Sequence, residues 1–181
     1  MIRFGTDGWR AVIADTFTFT NLRLISQAVA DSVNKSHTGS EPPQVVVGYD
    51  TRFMSDRFAT ETARVLAGNG IIAWLTRTDS PTPAISYNVK EKGANAGIVI
   101  TASHNPPRYN GFKLKASYGG SATAEECSRV EEALGDMERE ARGLQPRGAG
   151  DGHVGDGLGG EGIHAFGSRS LGDGFPGQAR E

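Results

Sequence analysis

The stretch Thr101-Ala102-Ser103-His104-Asn105-Pro106-Pro107-Arg108-Tyr109-Asn110-Gly111-Phe112-Lys113 gathers a hydroxyl, an imidazole, a carboxamide and an ammonium within a few residues. That set suits holding and moving a phosphoryl group, a transfer that depends on positioning and charge neutralisation more than on covalent work by the protein. Acyl transfer fits poorly. Ala102 precedes and His104 follows Ser103, so the G-x-S-x-G elbow is absent, and adjacent side chains seldom meet as nucleophile and base. Pro106 and Pro107 fix φ and withhold backbone donors, which stiffens the stretch and keeps it from continuing as helix or strand. Asn110-Gly111 is a strong turn signal; it predicts that residues 112–115 fold back toward the sheet and return Lys113 to the mouth holding Ser103 and His104. Ser103 and Asn105 also read as ordinary turn residues capping their own backbone. The local chemistry leaves both readings open.

The elements that position this stretch follow from periodicity. Residues 44–49, 71–76 and 96–101 are short apolar runs rich in β-branched side chains and bounded by Gly, Pro or polar residues, which predicts buried strands. Leu22, Ile25, Ala28, Val29 and Val33 fall on one helical face, and Phe58, Thr62, Val65 and Leu66 on another. Thr82-Pro83 predicts a capped helix start running to about Glu91. Thr123 with Glu126 forms a capping box, followed by Cys127, Val130 and Leu134 on one stripe. The order helix, strand, helix, strand, helix, strand, short strand, helix argues an α/β fold: one layered domain with a mixed, largely parallel sheet flanked by helices. Ligands of such sheets bind beyond the carboxyl ends of the strands, which directs attention to the loops after Tyr49, Thr76 and Ile100.

Composition narrows the class. With 181 residues, 37% hydrophobic and 22% charged, and a net charge of -2, the chain fits one domain without a field that demands nucleic acid or an anionic membrane. The single cysteine, Cys127, rules out an internal disulfide and a cysteine zinc cluster. Neither a leading apolar run nor a membrane-length apolar stretch is present, so the expectation is a cytoplasmic protein. Fourteen of the 25 glycines fall at or after Gly135, which divides the expected fold, 1–135, from a low-complexity tail, 136–181, read as disordered or aberrant. Gly155-Asp156-Gly157-Leu158-Gly159-Gly160 satisfies G-x-G-x-x-G but lacks a preceding strand and a following helix. The glycine repeats around Gly150 do not sustain a calcium-binding period. Trp9, Trp74 and Cys127 read as packing residues.

Three ordered motifs carry a family resemblance. TASHNP followed by YNGFK resembles the active-site signature of the α-D-phosphohexomutase superfamily, and the phosphoglucomutase/phosphomannomutase group in particular. Phe4-Gly5-Thr6-Asp7-Gly8-Trp9-Arg10 is similar to that family's opening FGT-x-G-x-R element, and Val47-Gly48-Tyr49-Asp50-Thr51-Arg52 to its V-G-x-D-x-R strand and loop. The resemblance implies that Ser103 is phosphorylated in the active enzyme, passes its phosphoryl group to a hexose phosphate, and regains one from the hexose 1,6-bisphosphate so formed. It further implies that His104, Asn105 and Thr101 line the phosphoserine site, that Lys113 serves acid/base or charge-stabilising work, and that Arg10, with Thr6 beside it, braces the phosphate. Asp50 and Arg52 carry no implied role beyond a loop salt bridge.

Family members bind Mg2+ through a phosphoserine oxygen and the aspartates of a D-x-D-x-D-R loop; here Ser103, through its phosphate, would be the chain's contribution, and no D-x-D-x-D occurs. The family has four domains and this chain resembles the first, the catalytic-serine domain, so the chain is expected to be inactive alone, with an exposed interdomain face that favours self-association. The expected partner is a hexose phosphate, with neither nucleic acid nor membrane. A phosphoglucosamine mutase fragment, a non-catalytic phosphosugar-binding module and a purely structural fragment are the alternatives. The loss of periodicity after Leu134 motivates the further expectation of a shifted reading frame or truncation.

Overall fold

In the computed structural model of the chain, Ile2, Phe4, residues 8–140 and residues 163–166 are described; Thr6 lies outside them. The first strand, β1 (Trp9–Val12), precedes α1 (Phe19–Ser36). Thr18 starts that helix by accepting from the Asn21 N–H at 3.3 Å, and all five residues of its predicted stripe are buried. Then follow β2 (Gln44–Tyr49), α2 (Ser55–Gly68), β3 (Ile72–Thr76), α3 (Thr82–Glu91), β4 (Ala96–Ile100), β5 (Tyr109–Ala116) and α4 (Ala124–Glu140). The capping box opens α4: the Thr123 N–H donates to Glu126 Oε2 at 2.7 Å, and the Glu126 N–H to Thr123 Oγ1 at 3.2 Å. Among the described residues of the glycine-rich segment, 136–140 continue α4 and Ile163–Phe166 forms β6.

The strands form one mixed sheet in the order β1-β5-β4-β2-β3-β6. Strands β4, β2, β3 and β6 run parallel, whereas β5 is antiparallel to both β4 and β1. Helices α1, α2 and α4 cover one face over a core that includes Phe17, Leu22, Ile25, Phe58, Leu66, Ile98, Phe112, Val130 and Leu134. Trp9 stacks on Phe17 at 4.7 Å, and Phe17 meets Phe58 edge-on at 4.9 Å. On the opposite face α3 packs Ile85 and Val89 against Val46 and Val99. Among the described residues, no helix is long and apolar enough to cross a membrane.

Three local expectations change. Asn110-Gly111 is not a turn: both residues lie in β5, paired with Ala11 and Arg10 of β1, and the second ladder outweighs local turn preference. The reversal occurs earlier, where Ser103 takes a φ of 55° and the Tyr109 N–H returns to the Pro106 carbonyl at 2.9 Å. The strand expected over 112–115 is accordingly Tyr109–Ala116. Thr82 does not cap α3; Pro81 occupies the cap position without a side-chain bond, and Thr82 is already helical. Strand β1 leaves no local signal, because its four residues acquire strand character only from β5, far along the chain.

Candidate active site

Loops after β2, β3 and β4 leave the same end of the sheet. At β2 the connections diverge: β2 leads through α2 to β3 on one side, whereas β4 leads to β5 on the other. Such a point opens a crevice in an α/β sheet. The Asp50 N–H donates to the Ile100 carbonyl at 3.1 Å and ties the two exits together.

Ser103 stands exposed at the tip beyond β4. Its φ of 55° lies in the left-handed region, which costs an L side chain about 1–2 kcal/mol. The buried Thr101 hydroxyl steadies the turn by accepting the Ser103 N–H at 3.0 Å, and the Asn105 N–H donates to the Ala102 carbonyl at 3.1 Å. The Ser103 hydroxyl takes no hydrogen bond from the described residues. The turn is therefore closed by backbone groups and Thr101, and the serine side chain is not consumed in capping it. His104 beside it is exposed, and Asn105 is half-buried.

Arg10 and Lys113 project from one face of the sheet. Trp9, Ala11, Phe112 and Leu114 point into the large core, so alternation turns Arg10, Gly111 and Lys113 to the opposite side. Arg10 pairs with Gly111, which makes Lys113 its diagonal neighbour across the two strands, within reach of long side chains. The Thr101 N–H reaches the Gly111 carbonyl at 2.9 Å. Thr101, Gly111 and Arg10 thus form one row across the strand exits, with Lys113 a step below, opposite Val99. Gly111 is required there by close approach: a Cβ would lie 2.5 Å from the Thr101 carbonyl oxygen and 3.0 Å from that of Trp9.

The structure adds residues that sequence reasoning left aside. Arg52 Nη2 donates to the Ser103 carbonyl at 2.7 Å and the Asn105 carbonyl at 2.6 Å; Nη1 donates to those of Pro106 and Tyr109, each at 3.0 Å. Asp50 Oδ2 lies 3.3 Å from Arg52 Nε, while Oδ1 accepts from the Arg52 N–H at 3.0 Å and the Ser55 hydroxyl at 2.9 Å. Asn110 Nδ2 donates to Ser55 Oγ at 2.9 Å, and the side-chain oxygen of Asn110, Oδ1, accepts the Gly111 N–H at 2.8 Å. The readable signal was the D-x-R-x-x-S spacing of Asp50, Arg52 and Ser55. Arg52 forms the expected salt bridge, and four carbonyl bonds besides.

At the same mouth burial, reinforced by the Asp56 and Asp79 carboxylates, raises the Tyr49 phenol above its ordinary value of 10.0. Among the described residues no group of three or more His, Cys, Asp or Glu side chains could hold a metal ion. Asp50, the acidic group nearest in this network, already holds Arg52 and Ser55.

Comparison with known proteins agrees with this architecture. The family model described as "Phosphoglucomutase/phosphomannomutase, alpha/beta/alpha domain I" matches residues 1–140. A phosphoglucomutase of Staphylococcus saprophyticus is 37% identical over 142 residues, covering 76% of this chain and 25% of the relative. The phosphoglucomutase of Staphylococcus aureus MRSA252 is 36% identical over 138 residues, covering 75% and 25%. A solved structure from Thermus thermophilus superposes with a TM-score of 0.70 at 41% identity, covering 74% of this chain and 30% of that one. A phosphoglucomutase/phosphomannomutase family protein of Burkholderia thailandensis shares the fold, with a TM-score of 0.66 at 21% identity over 93% of this chain and 34% of its own. The chain spans about a quarter of the length of the curated phosphoglucomutases it matches. Through residues 1–140, with the alternating helices and strands that carry the Ser103 loop, the chain belongs to the phosphoglucomutase/phosphomannomutase family.

Proposed function

We propose that the chain is the serine-bearing domain of a phosphohexomutase, in which Ser103 carries the phosphoryl group exchanged between two hydroxyls of a glucose or mannose phosphate. The observation that supports this most directly is the exposed Ser103 hydroxyl on a left-handed turn at the divergence of the strand connections. A nucleophile held on so constrained a tip meets the positional demand of phosphoryl transfer. In the forward step a bond from phosphorus to a sugar hydroxyl oxygen forms as the Ser103 Oγ–P bond breaks; the sugar hydroxyl gives its proton to a base, and the leaving Ser103 oxygen takes up a proton to become a hydroxyl again. The resulting hexose 1,6-bisphosphate reorients and returns its other phosphoryl group to Ser103.

Arg10 and Lys113 share a sheet face beside the strand exits, which suits them to phosphate bracing and to acid/base or charge-stabilising work. His104, Asn105 and Thr101 line the loop; Thr6, outside the described residues, belongs to the same reading by its motif alone. Mg2+, bound in the family, would supply charge neutralisation. The Ser103 phosphate would offer it one oxygen, and the described residues contribute no carboxylate cluster to complete its shell. The chain alone is expected to accept a phosphoryl group without completing isomerisation.

Incubation with glucose 1,6-bisphosphate, followed by intact-mass measurement and site mapping, tests this reading. Gain of one phosphoryl group at Ser103, abolished in S103A, is expected. Reversible binding without a mass change would replace the mutase reading with that of a phosphosugar-binding module, and neither binding nor labelling would remove both.

A further inference from the structure

We infer that Arg52 is the positioning residue for Ser103, setting the serine's backbone through the loop carbonyls without touching substrate; this rests on the reading of Ser103 given above. A guanidinium has five N–H donors in a fixed planar fork. In Arg52 the terminal nitrogens serve the carbonyls of Ser103, Asn105, Pro106 and Tyr109, and Nε faces Asp50. The side chain is only 14% exposed, and its bonds to the Asn105 and Tyr109 carbonyls are partly buried, while those to Ser103 and Pro106 lie at the surface.

The loop needs such a donor from outside. Pro106 and Pro107 have no N–H, and the loop's own backbone serves the Pro106 carbonyl, through the Tyr109 N–H, but not those of Ser103 and Asn105. A left-handed backbone at a residue other than glycine persists only where its surroundings enforce it. Arg52 grips the carbonyl of Ser103 itself and those two, three and six residues onward. Asp50, itself held by the Ser55 hydroxyl, fixes Arg52 in turn. Lysine cannot substitute, since a single ammonium with three donors does not span four carbonyls.

The test compares amide hydrogen exchange in the full wild-type chain, R52K and R52G, reading Ser103, Asn105 and Tyr109 against the amides of β2 and β4. Exchange at the three loop amides is expected to rise about tenfold or more in both variants, the scale of losing charge-assisted hydrogen bonds, with β2 and β4 unchanged. Added guanidinium ion should restore protection in R52G and leave R52K unaffected. If R52G fails to fold, R52K decides, because it retains the stem and the charge. Unaltered loop exchange in R52K would overturn the inference, as would an increase spread evenly through β2 and β4, which would make Arg52 a general stabiliser. Phosphoryl labelling of the wild type separates the two claims: a labelled protein whose loop ignores Arg52 loses only the positioning role, whereas an unlabelled protein whose loop depends on Arg52 loses only the mutase reading.

Discussion

Asn110 Nδ2 donates to Ser55 Oγ across 2.9 Å, joining the buried start of β5 to the first turn of α2. Ser55 passes the connection to Asp50, and Asn110 closes it on the Gly111 N–H. The network is buried at both Asn110 and Ser55, so a missing partner is not replaced readily by water. Asn110→Ala is expected to cost about 1–3 kcal/mol, the range for leaving a buried polar group unsatisfied. Urea unfolding should show a lower midpoint at an unchanged slope; a midpoint equal to wild type would mean that the network contributes no net stability.

Ser103 holds a backbone shape that glycine adopts without steric cost. Ser103→Gly should therefore be more stable than Ser103→Ala by about 1 kcal/mol, while neither variant takes a phosphoryl group. Paired thermal melts measure the difference, and equal melting temperatures would show that the left-handed turn relaxes in solution.

Gly111→Ala places a methyl group against the Thr101 and Trp9 carbonyl oxygens, both backbone atoms. Overpacking that neighbours cannot relieve by rotation typically costs about 1–3 kcal/mol. The loss should come with faster amide exchange along β1 and β5. Wild-type stability in this variant would argue that the strands can separate without penalty.

Tyr49 titrates above its ordinary 10.0 because burial, then Asp56 and Asp79, disfavour the phenolate. With the folded pKa raised, the neutral phenol's contribution to stability is complete below about pH 10 and fades as pH climbs through the folded value. Tyr49→Phe should remove this part of the alkaline loss while preserving the behaviour at neutral pH. Denaturant melts across the alkaline range provide the measurement; superimposable profiles would dismiss the linkage.

Elements built on local regularity were legible. The stripe through Leu22, Ile25, Ala28, Val29 and Val33 is the buried face of α1, and the Thr123–Glu126 box opens α4. Strand β1 was hidden because Trp9–Val12 owes its form to β5, and Asn110-Gly111 misled for the same reason: a second strand supplied partners that a turn preference ignores. The candidate serine could be named from its neighbours, but its left-handed backbone could not. Arg52 was harder still. Four of its contacts are to peptide oxygens, which every residue has, so they leave no side-chain pattern to read.

The openness of the Ser103 tip carries a last consequence. A phosphate ester formed on that exposed oxygen meets bulk solvent, making water a rival acceptor to any sugar hydroxyl. The described surface has no cover over it. Uncatalysed water attacks a phosphate monoester extremely slowly, so the ester itself persists; it is fast transfer to a sugar and not to water that would require an opposing surface to exclude solvent and orient the accepting hydroxyl.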